Sequence, residues 1–569
     1  MPDLQQLEFV CNGTRQRVPV AAGASLLGVL REQLGLRSLK DGCAPQGQCG
    51  CCTVLVDGDA RVACVTPATR VAGRRVTTLE GLDPARRSTL VDAFVAAGAS
   101  QCGFCTPGIL LRAAALVERG KTAPSDVERA LSAHLCRCTG WRTIVDAITG
   151  DVRPEAGRRL SAATTRATLE GDTPQRVGPD VPAGGGGFAE DTAPADALVA
   201  VPVPPSSTVD GVEAAGLRWV VAETLGDARS RAGTPPGRRS PRADESPLPL
   251  PAPVPGGVRL TTSWVEPAYL EPDAAWCEPG GEPASPLANG GAFGGKTTSA
   301  APAAARELSD RLGRAVRVVY SREDTVRLGP KRPPIAATAV VRDGAVFIDG
   351  SYAAAPSAWP PAPDVVTLPV REHWASVPCP GPPTDPGLRA FPLAERTVLR
   401  EGALAAAGVD GARCCVGDRV AGVRLATVAA APEGGLAGAR VELDAAGGLA
   451  RVAVRVAGGD PLDEVVLRSF CLGATHMALG WVLTEGIAVD PERGEVLDLT
   501  IRSFGILRAR AMPPVDLDVV DEAGPPCPVS GAVFAAVAAA AWEAISGAEG
   551  RRPEAFPTRA TRAARAARG

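Results

Sequence analysis

Cys43, Cys49, Cys52 and Cys64 follow one another as C-x5-C-x2-C-x11-C, and further along Cys102-x2-Cys105 is answered by Cys136-x-Cys138. Four thiolates gathered by a tight loop and one later residue make the ligand set of a [2Fe–2S] centre. The loop GCAPQGQCGCC is rich in glycine, so its main chain can close around sulfides and turn N–H groups toward them. The stretch TVLVDGDARVAC reads as a hairpin turning at Asp57-Gly58 that carries Cys64 back to the loop. Five residues part Cys43 from Cys49 where the plant-type spacing is C-x4-C, a one-residue insertion. Cys51 alternates away from its neighbours and reads as a bystander. In the second set, QCGFCTPG opens one predicted helix and LCRCTG precedes another. Helix N-termini favour thiolates through the dipole and free N–H groups, so two such ends facing each other suit an anionic cluster. His134, just before the second pair, reads as a helix-end polar residue rather than a ligand.

Zinc and disulfides are the competing chemistries. Zinc sites take two close pairs, not a loop triplet with a distant fourth cysteine. Ten of the 16 cysteines lie before residue 140, which in a small secreted chain would suggest a disulfide frame. This chain has 569 residues, and its start, MPDLQQLEFV, has neither the basic nor the apolar region of a signal peptide. Metal ligation is therefore the expectation. No run of ~18 apolar residues stands out, so no membrane span is expected. A net charge of −3 points to neither nucleic acid nor a membrane surface as partner. A cytoplasmic protein is the expectation.

The elements that must position these cysteines follow from periodicity. Residues 1–80 read as short strands (LEFVCNG, RQRVPV, CTVLVDGDARVACV, RVTTLEG) around one helix, Ser25–Leu34, which suggests a β-grasp ferredoxin-like domain. Across 81–150 the period becomes helical, with helices expected at Leu90–Ala97, Pro107–Arg119, Ser125–Leu135 and Gly140–Ile148, a small four-helix bundle. Residues 151–256 hold Gly184–Gly187, PVPPSS and SPRADESPLPLPAPVPGG, and read as a reduced, linker-rich region with a few short elements. Over 257–569 an α/β pattern resumes. It shows a helix at Ala301–Arg311, the strand RAVRVVYS, strands at AATAVV, ARVELDA and ARVAVRVA, and a final helix at Ala532–Ile545. The fold class expected is α+β multidomain.

QCGFCTPG followed by LCRCTGW resembles the iron–sulfur subunit of the molybdenum hydroxylases, the family of xanthine dehydrogenase, aldehyde oxidase and carbon monoxide dehydrogenase. The GC…CGCCTVLVDG stretch is similar to that family's β-grasp domain, so the resemblance covers nearly all of 1–150. It implies an oxidoreductase with two [2Fe–2S] clusters. The helical-domain cluster would lie nearest a molybdopterin, approached by Gln101 and Cys138, and the β-grasp cluster would relay electrons onward. Gly290-Gly291-Ala292-Phe293-Gly294-Gly295-Lys296 resembles the large subunit's GGGFGGK loop. There the backbone of Gly291, Ala292 and Gly294 would approach the cofactor, and Phe293 would line the substrate channel. YLEPDAAW, LGRAVRVVYSREDTVRLGPKRPP, LRAFPLAERTVLREGALAAAGVD, GATHMALGWVLTEG and LDLTIRSFGILRARAMPPVDLDVV follow in the family's order, so 257–569 resembles a shortened molybdopterin-binding subunit.

The departures concern catalysis. The family places a glutamate base in a GxKGxGE segment. Here VVDEAGPPCPVS runs straight into GAVFAAVAAAAWEAI, and that segment has no counterpart. Glu522 is nearby without the motif, and reads first as a solvated loop residue and second as the catalytic carboxylate. His476 stands where a glutamine is common, and Arg389-Ala390-Phe391-Pro392 where an arginine followed by glycines is usual. No P-loop, flavin or nicotinamide signature is present. Electrons leaving the clusters would need a separate acceptor such as an FAD-containing subunit, and a homo-oligomer is expected. The resemblance implies a hydroxylase acting on a small heterocycle or aldehyde. The alternative is a catalytically inactive relative acting as an Fe–S electron carrier or scaffold subunit.

Overall fold

The computed structural model describes residues 4–150, 152, 157–205, 207–233, 245–284, 296, 298–355, 359, 368–388, 390–409, 427–430 and 434–568. The fold is α+β and multidomain, and among the described residues the strands form four sheets of mixed direction.

The first sheet has five strands in the order Thr14–Ala21, Leu4–Cys11, Arg75–Thr77, Thr53–Val56, Asp59–Val62. Leu4–Cys11 pairs antiparallel with Thr14–Ala21 and parallel with Arg75–Thr77. Leu7, Phe9, Val18 and Val20 alternate inward, as period-two strands require. The expected helix over this sheet is present as Leu26–Gly28 continuing into a wider π turn, Val29–Gln33. Leu26, Leu27, Val29 and Leu30 bury against the strands.

Four helices follow: Pro84–Ala97, Thr106–Glu118, Pro124–Ala130 and Arg142–Thr149. The first begins six residues ahead of the expected Leu90. Asp83 caps it by accepting from the Arg86 N–H, and Pro84 sits in the first turn, where its missing N–H does no harm. The third ends earlier than Leu135, its last turn tightening into the 3-10 segment Leu131–Ala133.

Residues 160–187 carry more order than their composition suggests. A twelve-residue helix, Leu160–Gly171, lies there against the later helix Glu464–Leu483. Its inward face is Ala163, Arg166, Ala167 and Glu170, small residues and an ion pair, so it shows no apolar stripe. The expected elements in DALVAVPV and GLRWVVAETLGDARSRA appear as Leu198–Pro202, Leu217–Ala222 and Leu225–Ala232.

Beyond residue 256 the expected helix and strand are present as Ala301–Leu312 and Val316–Val319, and the last long helix as Ser530–Glu549. That helix packs with Phe391–Ala406 and Glu464–Leu483 at the centre of the largest core. Glu464–Leu483 and Ser530–Glu549 are long and apolar enough to cross a membrane by length and composition. However, 89% and 67% of their apolar windows are buried inside the fold, as core helices are.

Candidate functional site

The hairpin holding the fourth cysteine forms as expected. Val56 pairs with Asp59, while Asp57 and Gly58 both take positive φ, the geometry of a two-residue turn matched to strand twist. Asp59–Val62 then delivers Cys64 into a short 3-10 turn, Ala63–Val65. In the glycine-rich loop the N–H groups of Gln48 and Cys49 point at Cys43 Sγ at 3.4 and 3.3 Å, and the Cys64 N–H points at Cys52 Sγ at 3.4 Å. The four sulfurs lie near enough to act on one another's ionisation, Cys43 with Cys49 and Cys64, and Cys64 with Cys52. Donation from Cys49 and Cys64 holds the Cys43 thiol well below its usual range, so one thiolate is favoured among buried sulfurs.

The second quartet closes in the same way. Cys105 precedes the helix Thr106–Glu118, and Cys136 and Cys138 lie just ahead of Arg142–Thr149. Cys138 Sγ is 3.5 Å from Cys102 Sγ, and the Cys105 and Cys138 thiols act on the ionisation of Cys136. Those two thiols, and then the Thr139 hydroxyl 3.2 Å away, hold Cys136 well below the usual thiol range.

The two quartets meet through their loops. A Cβ on Gly108 would strike the Gly50 carbonyl at 2.2 Å, and one on Gly50 would strike the His134 ring at 2.4 Å, so both contacts require glycine. His134 is fully buried with Nε2 3.1 Å from Thr53 Oγ1, and burial lowers its pKa to about 3, so it packs as a neutral ring. Cys51 is buried between the quartets, bonded through its thiol to the Cys49 carbonyl at 3.8 Å.

Gln101 and Cys138 are joined: Gln101 Nε2 donates to the Cys138 carbonyl at 3.0 Å and to Ser469 Oγ at 2.9 Å. Gly473, in GATHMALG, lies so close that a Cβ there would sit 1.8 Å from the Cys138 carbonyl oxygen. The tail end of LCRC is thus clamped onto the helix Glu464–Leu483. His476, on the same helix, is buried with Nε2 3.0 Å from the Leu507 carbonyl.

Gly291, Ala292, Phe293 and Gly294 lie outside the described residues. Lys296, the last residue of that loop, is described. Its ammonium meets Glu271 Oε2 at 2.9 Å and Asp273 Oδ1 at 3.6 Å, joining the loop to YLEPDAAW. Burial raises the Glu271 carboxyl to about 7 against the pull of Lys296. Glu522 accepts from the Gly459 N–H at 2.9 Å and is half-buried in its loop.

Two buried carboxylates were not legible as site residues. Glu485 takes a bidentate hold on Arg137, with one branch at 2.9 Å. Glu170 accepts from the N–H groups of Val529 and Ser530 and from Arg166, so it occupies the N-terminus of the helix Ser530–Glu549. Residue types and spacing carry no signal for pairs so far apart in the chain.

Residues 78–149 match the [2Fe-2S] binding domain family. The chain is 42% identical over 147 residues to the nicotine 6-hydroxylase small subunit of Paenarthrobacter nicotinovorans, covering 26% of this chain and 88% of that one. It is 39% identical over 146 residues to the xanthine dehydrogenase iron-sulfur-binding subunit of Escherichia coli O157:H7, covering 25% and 91%. Against the aldehyde oxidoreductase of Megalodesulfovibrio gigas identity is 44% over 148 residues, 25% of this chain but only 16% of that enzyme. In three dimensions the chain is similar to the aldehyde oxidoreductase from Desulfovibrio gigas. The TM-score is 0.72 with 16% identity, over 99% of this chain and 100% of that one, which is a likeness of fold. With small iron–sulfur subunits matched over most of their length, the chain is an iron–sulfur oxidoreductase of the molybdenum hydroxylase family.

Proposed function

We propose that Cys43, Cys49, Cys52 and Cys64 hold one [2Fe–2S] cluster and Cys102, Cys105, Cys136 and Cys138 the other. The supporting observation is the pair of sulfur quartets: backbone N–H groups point at Cys43 and Cys52 in the first, and the Cys102 and Cys138 sulfurs lie 3.5 Å apart in the second. Among the described residues no three His, Cys, Asp or Glu side chains group as a single metal ion would need. A binuclear cluster spreads its four ligands over two irons, and zinc draws four to one point. We assign the first quartet to a β-grasp domain at 1–80, the second to a helical domain at 81–150, the connecting region to 151–256 and a molybdopterin-binding-like region to 257–569.

Gln101 and Cys138 are assigned to the face that meets a molybdenum pterin. The fit rests on the Gln101 carbonyl oxygen, which is buried beside Cys138 with no partner. When bound, that group would supply the two-electron oxidation of a heterocycle or aldehyde C–H. Gln101 would orient it through the Cys138 main chain, and the family resemblance of their loop proposes Gly291, Ala292, Phe293 and Gly294 as further cofactor contacts. The first cluster would pass electrons to an FAD-containing subunit, in a cytoplasmic assembly with more than one copy of this chain.

A second reading is favoured by Glu170. The helix Ser530–Glu549 begins where the family's glutamate segment would stand, and its N-terminus is filled by this chain's own carboxylate. Glu522, bonded to Gly459, is the remaining candidate base. On that reading the chain is an electron carrier or scaffold subunit. Metal and pterin analysis of the purified protein separates the two. Iron with molybdenum and pterin supports the hydroxylase, iron alone supports the carrier, and a colourless, iron-free protein prepared anaerobically with ample iron overturns both.

A further inference from the structure

Residues 501–511 pass over the loop that carries the first quartet. The Ile501 N–H donates at 3.0 Å to the side-chain oxygen of Gln46, which stands midway between Cys43 and Cys49. Further along, the half-buried Arg508 donates from Nη1 to the carbonyls of Ser132 and His134, both at 3.2 Å. Those carbonyls belong to the stretch that closes on the same loop. The Leu135 N–H donates to the Cys49 carbonyl at 2.9 Å, and a Cβ on Gly50 would stand 2.8 Å from the Ala133 carbonyl. The Arg508 guanidinium is thus held on the backbone that touches Cys49, and its charge reaches Cys43 and Cys49.

The cations around the two quartets differ in how they are balanced. Arg137, between Cys136 and Cys138, takes both oxygens of Glu485. Arg322, whose charge also reaches Cys43 and Cys49, pairs with Glu266 and donates to the Tyr269 carbonyl at 2.7 Å. Asp41, just ahead of the first quartet, is balanced by Arg229 at 2.9 Å. Arg508 has neutral carbonyls for partners, and among the described residues no carboxylate pairs with it. Burial, and then Arg502 and Arg510, depress its guanidinium, so like charges rather than acids surround it. Arg112, which acts on His134 together with Arg508, adds the same sign. The opposing group is Glu323, bonded to Gln46 at 2.7 Å, and burial pushes that carboxyl up toward its neutral form. A positive charge is left over beside the first quartet, while the Arg137–Glu485 pair at the second cancels.

We infer that Arg508 raises the reduction potential of the first cluster above that of the second, so that an electron reaching the second settles on the first. The inference rests on the iron–sulfur reading given above and adds a direction to it. In the step itself the reduced second cluster gives up one electron and the oxidised first cluster takes it. No bond is made or broken and no proton moves. A [2Fe–2S] centre gains one negative charge on reduction, and a nearby cation stabilises that form more than the oxidised one. Arg508 acts through this field and not as a ligand. A unit charge acting over ~10 Å at an effective dielectric of ~20 shifts such an equilibrium on the order of tenfold, which is about 59 mV for one electron.

The test uses the full chain with both clusters reconstituted. Each cluster is followed by electron paramagnetic resonance while dithionite is titrated in with redox mediators at fixed pH. Cys49→Ser and Cys105→Ser, each lacking one signal, tell the two clusters apart. In the wild type the first cluster's signal should appear at the higher potential. Arg508→Gln should lower that midpoint by about 59 mV, a tenfold change, and move the second by less than half as much. Arg508→Lys keeps the charge and should stay close to wild type. Arg502→Gln removes an exposed, solvent-screened charge from the same segment and should change little. A wild-type first cluster reduced at lower potential than the second overturns the inference, whether or not any variant folds. An unmoved first cluster in Arg508→Gln, or an equal shift of both clusters, overturns it as well. So does Arg508→Lys falling as far as Arg508→Gln, since the effect would then be structural. A wild-type chain that binds no iron would instead overturn the iron–sulfur assignment.

Discussion

Arg137 and Glu485, 348 positions apart, form a bidentate ion pair with side chains 2% and 0% exposed. Arg137 stands between Cys136 and Cys138, and its Nε also donates to the Pro267 carbonyl at 3.0 Å. The loop carrying half of the second quartet is thereby pinned to the C-terminal region at two points. With Trp141 donating to the Leu507 carbonyl at 3.0 Å and Gly473 pressed on Cys138, the helical part of the chain is seated on the α/β part. The second quartet is built into the contact between them.

Glu485→Gln leaves the guanidinium charged in a dry site, which costs about 3–5 kcal/mol. Chemical unfolding should show that loss. The double change Arg137→Met with Glu485→Met should recover most of it, since apolar residues of similar volume need no compensation there. If the single variant unfolds like wild type, the pair does not contribute as described.

Iron content separates ligands from bystanders. Cys51→Ala should keep on the order of four irons per chain, the content of two [2Fe–2S] clusters, whereas Cys49→Ser or Cys105→Ser should each lose about half. Electron paramagnetic resonance of the reduced protein should then show one signal missing, a different one in each variant. Iron loss in Cys51→Ala would require a different first quartet.

Gly473→Ala places a methyl group where the Cys138 carbonyl stands. Backbone must move at that point, at about 1–3 kcal/mol for overpacking. The resonance signal of the second cluster should shift or broaden, and that of the first should stay as it is, because Gly473 touches only the second loop in the contacts named above.

His476 supplies a pH dependence with a definite sign. Burial lowers its pKa to about 4, and the Leu507 carbonyl opposes that only in part. Between about pH 6.5 and pH 4 the unfolded chain binds a proton that the folded chain does not, so stability falls as the pH is lowered through that range. The neutral-ring contribution is fully present above about 6.5 and amounts to on the order of 3 kcal/mol. Denaturant midpoints measured across this range should fall with acidity, and more shallowly in His476→Gln. Equal slopes would exclude the assignment.

What the sequence determined by itself is local. The cysteine spacings, the Asp57-Gly58 turn and the alternation of Leu7 and Phe9 are set by residues a few positions apart, and short-range sterics enforce them wherever the chain goes. Helix ends were less legible, since Asp83-Pro84 starts a helix whose first turn carries no apolar stripe. Tertiary structure alone decided the rest. The helix Leu160–Gly171 exists because Arg166 and Glu170 are buried against a distant helix, and its composition in isolation reads as linker. Lys296 finds Glu271, Arg137 finds Glu485, and Arg508 finds the Ser132 and His134 carbonyls only once the segments are packed. Pairings of that kind depend on burial and on partners far along the chain. A linear sequence states the residues and leaves their desolvation, and so their chemistry, to the fold.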